Sequence, residues 1–132
     1  MPARDTKIRI AKPTSDLKTI SQMYVDGLGY EKIASFENHD GVDGIMIGHP
    51  QHLYHFEFTQ HKGADVPFPS HPDNLIIFYM PDIAKWQKCC SNMLTSGFIE
   101  VKANNSYWDK RGKTFVDIDG YRVVIQNQEW DD

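Results

Sequence analysis

The feature that most limits how this chain can fold is that it repeats itself. Asp16 and Asp82, each placed to open a helix, lie 66 residues apart, and Arg9 and Leu75, central in the strand before each helix, also differ by 66. Glu57 and Val124, in the last strand of each half, differ by 67, while Gly29-Tyr30 and Gly97-Phe98, which end the two helices, differ by 68. Landmarks that hold their offset so closely across a chain of 132 residues mark an internal duplication. A chain of this length makes one domain, so the two copies must share one core.

Each copy reads as one strand, one helix and three strands. Residues 7–11 (KIRIA) alternate polar and apolar as a half-buried strand does. Pro13-Thr14-Ser15-Asp16 supplies turn and N-cap chemistry, and Leu17, Ile20, Tyr24 and Leu28 then form one helical stripe that ends at Gly27 and Gly29. Strands are expected at 31–36, at 44–48 after the turn His39-Asp40-Gly41, and at 52–60. The stretch 61–73 has three prolines and no periodicity, and reads as a linker. The second copy follows with a strand at 75–80 and a helix opened by Pro81-Asp82. Ile83, Trp86, Cys90, Met93 and Leu94 lie on that helix's stripe, which Ser96-Gly97 terminates. Strands are expected at 98–102, 113–118 and 121–126, with a hairpin turn at 109–112 and a tight turn at Asp119-Gly120. The chain is thus one domain over 1–132, with a first module at about 6–61, a linker at 62–73 and a second module at about 74–128.

Alternation sorts the strands into two faces. Ile8, Ile10, Tyr54, Phe56, Phe58, Ile76, Phe78, Met80, Tyr121, Val123 and Ile125 fall on one, which must cover the helices. Lys7, Arg9, Ala11, His55, Glu57, Thr59, Leu75, Ile77, Tyr79, Arg122, Val124 and Gln126 fall on the other. That mixed face either curls around a ligand, pairs across an interface or stands in solvent; Leu75, Ile77, Tyr79 and Val124 argue against solvent.

Composition excludes several classes. Hydrophobic residues make up 40% and charged residues 24%, the usage of an ordinary globular domain. The net charge of −4 argues against a general nucleic-acid or anionic-membrane binder. No apolar run approaches the ~20 residues that span a bilayer, and the N-terminal segment lacks a secretory signal. Cys89 and Cys90 adjoin; on a helix they point about 100° apart, which suits no disulfide and points to a reducing cytoplasm.

The duplicated βαβββ pattern, the helix SDL…YVDGLGY and the ending DIDGYRVVIQ resemble the vicinal oxygen chelate superfamily of glyoxalase I, bleomycin-resistance proteins and extradiol dioxygenases. The resemblance covers about residues 7–128. It implies an α+β fold: two βαβββ modules forming a curved mixed sheet with helices on the outer face, a small-molecule site inside the cup, and a homodimer. Metal-dependent glyoxalases carry His or Glu at one position in each of four strands, and the matching positions here are Arg9, Glu57, Leu75 and Val124. Only Glu57 offers a metal donor. Arg9 is a permanent cation, while Leu75 and Val124 offer no donor atom.

The expectation is therefore a small-molecule-binding protein of this superfamily without the superfamily metal site and without a cofactor. Arg9, His55, Glu57, Tyr79 and Arg122 are the ligand-binding candidates, with His55 and Glu57 the acid–base candidates. The pair Arg9–Glu57 either recognises a polar ligand group or satisfies a half-buried strand face. One alternative is a metal-dependent lyase, isomerase or dioxygenase with a divalent metal on a rebuilt site using His55 and Glu57, completed from the linker by His71 or Asp73. Another is a non-catalytic interaction dimer. Among the remaining histidines, His49-Pro50-Gln51-His52 reads as a turn, and His52 and His55, three apart, are expected on opposite faces of the sheet. Tyr107-Trp108 reads as cross-strand packing of a hairpin, with a pocket rim as the alternative.

Overall fold

The computed structural model describes residues 1–67 and 71–130. The element order is β1 (Ile8–Pro13), α1 (Leu17–Leu28), β2 (Glu31–His39), β3 (Val42–Gly48), β4 (Tyr54–His61), β5 (Leu75–Tyr79), α2 (Ile83–Thr95), β6 (Ile99–Val101), β7 (Gly112–Val116) and β8 (Arg122–Gln126). Residues 68–70 of the expected linker lie outside the described residues. Each module forms its own four-stranded mixed sheet, ordered β1-β4-β3-β2 and β5-β8-β7-β6. The first strand of each pairs parallel with the last, and the other pairs are antiparallel. This is the duplicated α+β architecture that the sequence predicts.

The repeat extends to how each helix is tied down. Asp16 accepts from the backbone N–H of Thr19 (3.1 Å), and Asp82 accepts from those of Ala84 and Lys85 (3.0 and 3.1 Å). These are side-chain N-caps, each satisfying donors that a helix start leaves open. A carboxamide at the end of each module then straps the same turn: Gln60 donates to the carbonyl of Ser15 (2.8 Å), and Asn127 to that of Pro81 (3.1 Å). Gly29 closes α1 at φ +76°, the left-handed conformation that a side chain disfavours.

The core lies between the helices and the inner faces of both sheets. Tyr24 of α1 packs on Phe56 and Phe58 of β4 and on Phe98 of the second module, at centroid distances of 5.6, 4.8 and 5.4 Å. Gly27 lets α1 approach α2, because a Cβ there would come within 2.9 Å of the sulfur of Met93. Cys89 and Cys90 are buried free thiols beside this contact. Burial pushes both thiols up, Cys90 to about 11.

A polar joint also links the modules. The turn between β7 and β8 carries Asp117 and Asp119, both buried. Asp117 accepts from the hydroxyl of Tyr24 (2.8 Å) and from the N–H groups of Asp119 and Tyr121 (2.9 and 3.0 Å). Asp119 accepts from the Thr14 hydroxyl and from both the N–H and the hydroxyl of Ser15. Removal from water pushes the Asp117 carboxyl up to about 6, against the opposing pull of its hydrogen bonds. The same cause moves Lys12 down, while the charge of Asp117 pulls it back up.

Several expectations fail in detail. Ile83 and Leu94, assigned to the buried stripe of α2, are 52% and 51% exposed, and Ile8 is 57% exposed. Periodicity fixes a face, but its margins are buried only where a neighbouring element covers them. Residues 109–112 do not make a tight hairpin: Ser106–Asp109 is a single 3-10 turn within a longer connection from β6 to β7. Asn105 caps it by accepting from Tyr107 N–H (3.1 Å). Tyr107 and Trp108 therefore pack edge-on against each other in that turn rather than across strands. Tyr121 precedes β8 and donates to the Pro13 carbonyl (2.9 Å), with the Lys12 ammonium 4.1 Å from its ring centroid. Among the described residues no helix is long and apolar enough to cross a membrane.

Candidate functional site

The parallel ladder of β1 and β4 pairs Arg9 with His55 and Ala11 with Glu57, so Arg9, His55 and Glu57 share the face turned away from the helices. The opposite face carries Phe56 and Phe58, both fully buried. Alternation thus places the three candidates together, because a strand that buries every second residue must present the others. Arg9 Nε donates to His55 Nε2 (2.9 Å), and Arg9 Nη1 donates to Glu57 Oε2 (3.3 Å). The imidazole that accepts at Nε2 carries its proton at Nδ1, leaving one N–H donor for another partner. The guanidinium is held at two points and keeps N–H groups to spare.

The two ends of the ion pair are unequally covered. The Arg9 side chain is 49% exposed and that of Glu57 is 14% exposed. The pair therefore sits at an open surface, where an ion pair adds little to stability.

Beside this cluster is a cavity of about 200 Å³ lined by Lys7, Arg9, Met46, His49, His52 and His55, among others. His52 and His55 both line this cavity. β4 begins at Tyr54, so strand alternation does not reach back to His52. His52 belongs to the turn closed by its N–H to the His49 carbonyl (2.9 Å), and its ring stacks on Tyr54 at 5.2 Å. Three histidines and two cations thus meet one hollow. The spacing His49, His52, His55 was visible in the sequence, but the end of the strand was not.

Tyr79 and Arg122 stand on the other sheet. Its ladder pairs Leu75 with Arg122, Ile77 with Val124, and Tyr79 with Gln126, so these six share a face. Tyr79 meets the ring of Trp130 at 6.1 Å. The two sheets share no ladder, and the chain by itself does not join Tyr79 and Arg122 to Arg9 by strand pairing. On this second face Thr114, Val124 and Gln126 are buried, and the side-chain oxygens Thr114 Oγ1 and Gln126 Oε1 have no hydrogen-bond partner. Sequence reasoning placed Gln126 on this face but gave it no role. Tyr107, Lys110, Arg111 and Gln128 line a cavity of about 240 Å³ with it.

The donor set decides whether a divalent ion fits at the four strand positions. Arg9 already occupies an oxygen of Glu57, and Leu75 and Val124 supply no ligand atom, so these residues do not fit a metal. Among the described residues no group of three or more His, Cys, Asp or Glu side chains is arranged to hold one. Asp73 is engaged by Asn104 (3.2 Å) from the second module, and His71 Nδ1 accepts from the N–H of Asp73 (3.0 Å).

Comparison with known proteins agrees with the duplicated fold. The sequence matches the YycE-like N-terminal domain over residues 8–59 and the YycE-like C-terminal domain over residues 73–127. The protein YycE of Bacillus subtilis (strain 168) is 40% identical over 123 residues, covering 93% of this chain and 88% of its own length. A crystal structure of a YycE protein from Bacillus subtilis superposes with a TM-score of 0.84, at 40% identity, over 96% of this chain and 92% of that one. The fosfomycin resistance protein FosX of Mesorhizobium loti superposes with a TM-score of 0.73 at 11% identity, over 93% of this chain and 91% of that one. Glyoxalase I of Leishmania major gives 0.71 at 14% identity, over 91% and 84%. These last two share their fold with this chain.

Proposed function

The chain belongs to the YycE-like family, and from that premise we propose that it is a small-molecule-binding protein whose ligand presents an anionic or strongly polar group to Arg9. The observation that carries the reading is the guanidinium of Arg9, held by His55 and Glu57 at the edge of a cavity also faced by Lys7. A permanent cation stands where metal-dependent relatives of the fold would place a ligand, and it supplies fixed positive charge with directional N–H donors. The ligand's acceptor binds the free N–H groups of Arg9 and the Nδ1–H of His55. His55 and Glu57 are then the groups able to move a proton on a bound molecule.

The same proposal includes a homodimer. Ile33 and Leu53 are 43% and 47% exposed near the Arg9 cavity, and they become covered if the open face of one copy closes on the second-module face of another. Tyr79 and Arg122 of the partner would then complete the cup.

The test is a titration with pyruvate and inorganic phosphate, followed by the imidazole nitrogen signals of labelled histidines, together with elemental analysis of untagged protein. The expected result is a saturable shift of His55 that Arg9→Gln abolishes. One tightly held zinc, nickel or iron per chain, released by Glu57→Ala, overturns the proposal in favour of the metal-dependent alternative. So does a His55 signal that neither anion moves.

A further inference from the structure

Hollows among the described residues also lie away from the Arg9 face. One of about 440 Å³ lies on the opposite side of the first sheet, between α1 and the strands β2 and β3. The register fixes its side: Ile45 and Ile47 pair with Phe58 and Phe56, whereas their neighbour Met46 pairs with Glu57 on the Arg9 face. Leu17 and Val25 of α1 complete the apolar wall, and this volume lies in the range of sites that take a small organic molecule.

Its polar features point to one kind of occupant. Ser21, on the wall formed by α1, is 7% exposed, and its hydroxyl has no hydrogen-bond partner. A buried hydroxyl without a partner is costly to keep, and an acceptor that reaches it relieves that cost. Lys18 and Lys32 stand on opposite walls, and among the described residues neither makes an ion pair. The carboxylate in the crevice, Asp16, is committed to capping α1 through the N–H and hydroxyl of Thr19. Gln60 is likewise committed to Leu17 N–H and the Ser15 carbonyl. The crevice therefore offers an apolar wall, one unused hydroxyl and two cations, of which Lys18 also faces the charge of Asp16 and Lys32 does not, with its fixed acceptors already occupied by hydrogen bonds.

We infer that this crevice is a second binding site, for a small amphipathic monoanion such as a medium-chain carboxylate. The hydrocarbon lies against Leu17, Val25, Ile45 and Ile47. The carboxylate accepts from the Ser21 hydroxyl and sits between Lys18 and Lys32. The site is separate from the Arg9 cavity and stands or falls without it.

The test uses n-octanoate as the probe, followed by backbone amide shifts of the full chain, with 1-octanol as the uncharged control. Octanoate is expected to shift Ser21, Val25 and Ile45 saturably and to bind about tenfold or more tighter than octanol. Ser21→Ala should weaken binding by about three- to tenfold, the worth of one hydrogen bond. Lys32→Gln should weaken it and flatten its dependence on salt. Because both substitutions lie at a partly open crevice, unchanged dispersion of the remaining amides shows that the variants fold. Equal binding of octanol and octanoate, an effect confined to His55 and its neighbours, or no saturable shift at Ser21 up to about 10 mM probe, a range that corresponds to negligible affinity, each overturns the inference.

Discussion

Replacing Asp117 with asparagine should make the protein less dependent on pH, and the size of the effect follows from where the carboxyl sits. Asp117 is 6% exposed and accepts three hydrogen bonds, but no arginine or lysine contacts it directly among the described ion pairs. Desolvation raises its pKa from 3.8 to about 6 in the folded chain. Between these values the folded state binds more protons than the unfolded one, so this group's contribution weakens as pH rises from about 4 through 6. A difference of about two pH units at ~1.4 kcal/mol each is worth roughly 3 kcal/mol. Asparagine keeps the oxygen that accepts from Asp119 and Tyr121, turns an amide toward the Tyr24 hydroxyl, and carries no charge at any pH. Urea unfolding of both proteins at pH 4 and pH 7.5 isolates the term, because other carboxylates titrate equally in each. The stability of Asp117→Asn relative to the parent should rise by about 2–2.5 kcal/mol between the two pH values, the remainder of that term lying below pH 4. A difference that stays constant, or moves the other way, would show that the hydrogen bonds outweigh desolvation and that the carboxylate is at ease in the joint.

Three further outcomes follow from the geometry. A double-mutant cycle on Arg9→Ala and Glu57→Ala should give a coupling of about 1 kcal/mol or less, since Arg9 is 49% exposed; a coupling near the ~3–5 kcal/mol of a buried pair would refute the open placement. Gly112→Ala should cost about 1–3 kcal/mol in thermal or urea unfolding, because the new Cβ overlaps the Gln126 carboxamide and lies 2.9 Å from the Ile125 carbonyl; an unchanged midpoint would mean that Gln126 swings away freely. Cys89 and Cys90, buried and with raised pKa values, should react with a thiol reagent only as fast as the fold opens; rapid labelling of the folded protein would contradict their burial.

The duplication, both helices and their caps, and the union of Arg9, His55 and Glu57 on one face were legible in the sequence. All of these rest on short-range rules: a capping carboxylate three residues before its N–H, or a side chain that returns to the same face every second residue. The relation of Arg9 to Glu57 crosses most of a module, yet the offset of the repeat and the parity of two strands were enough to fix it. What failed lay where those rules end. The strand expected from residue 52 begins only at Tyr54, because the turn that His52 closes on His49 holds the chain out of the ladder. Ile83, Leu94 and Ile8 stayed exposed because a stripe says which way a residue points and not whether another element reaches it. The half-exposure of Arg9, the buried Asp117 joint and the orphan hydroxyl of Ser21 are decided only when sheet, helix and neighbouring module are brought together. Burial and pairing depend on what distant segments place opposite a residue, and the local sequence carries no record of that.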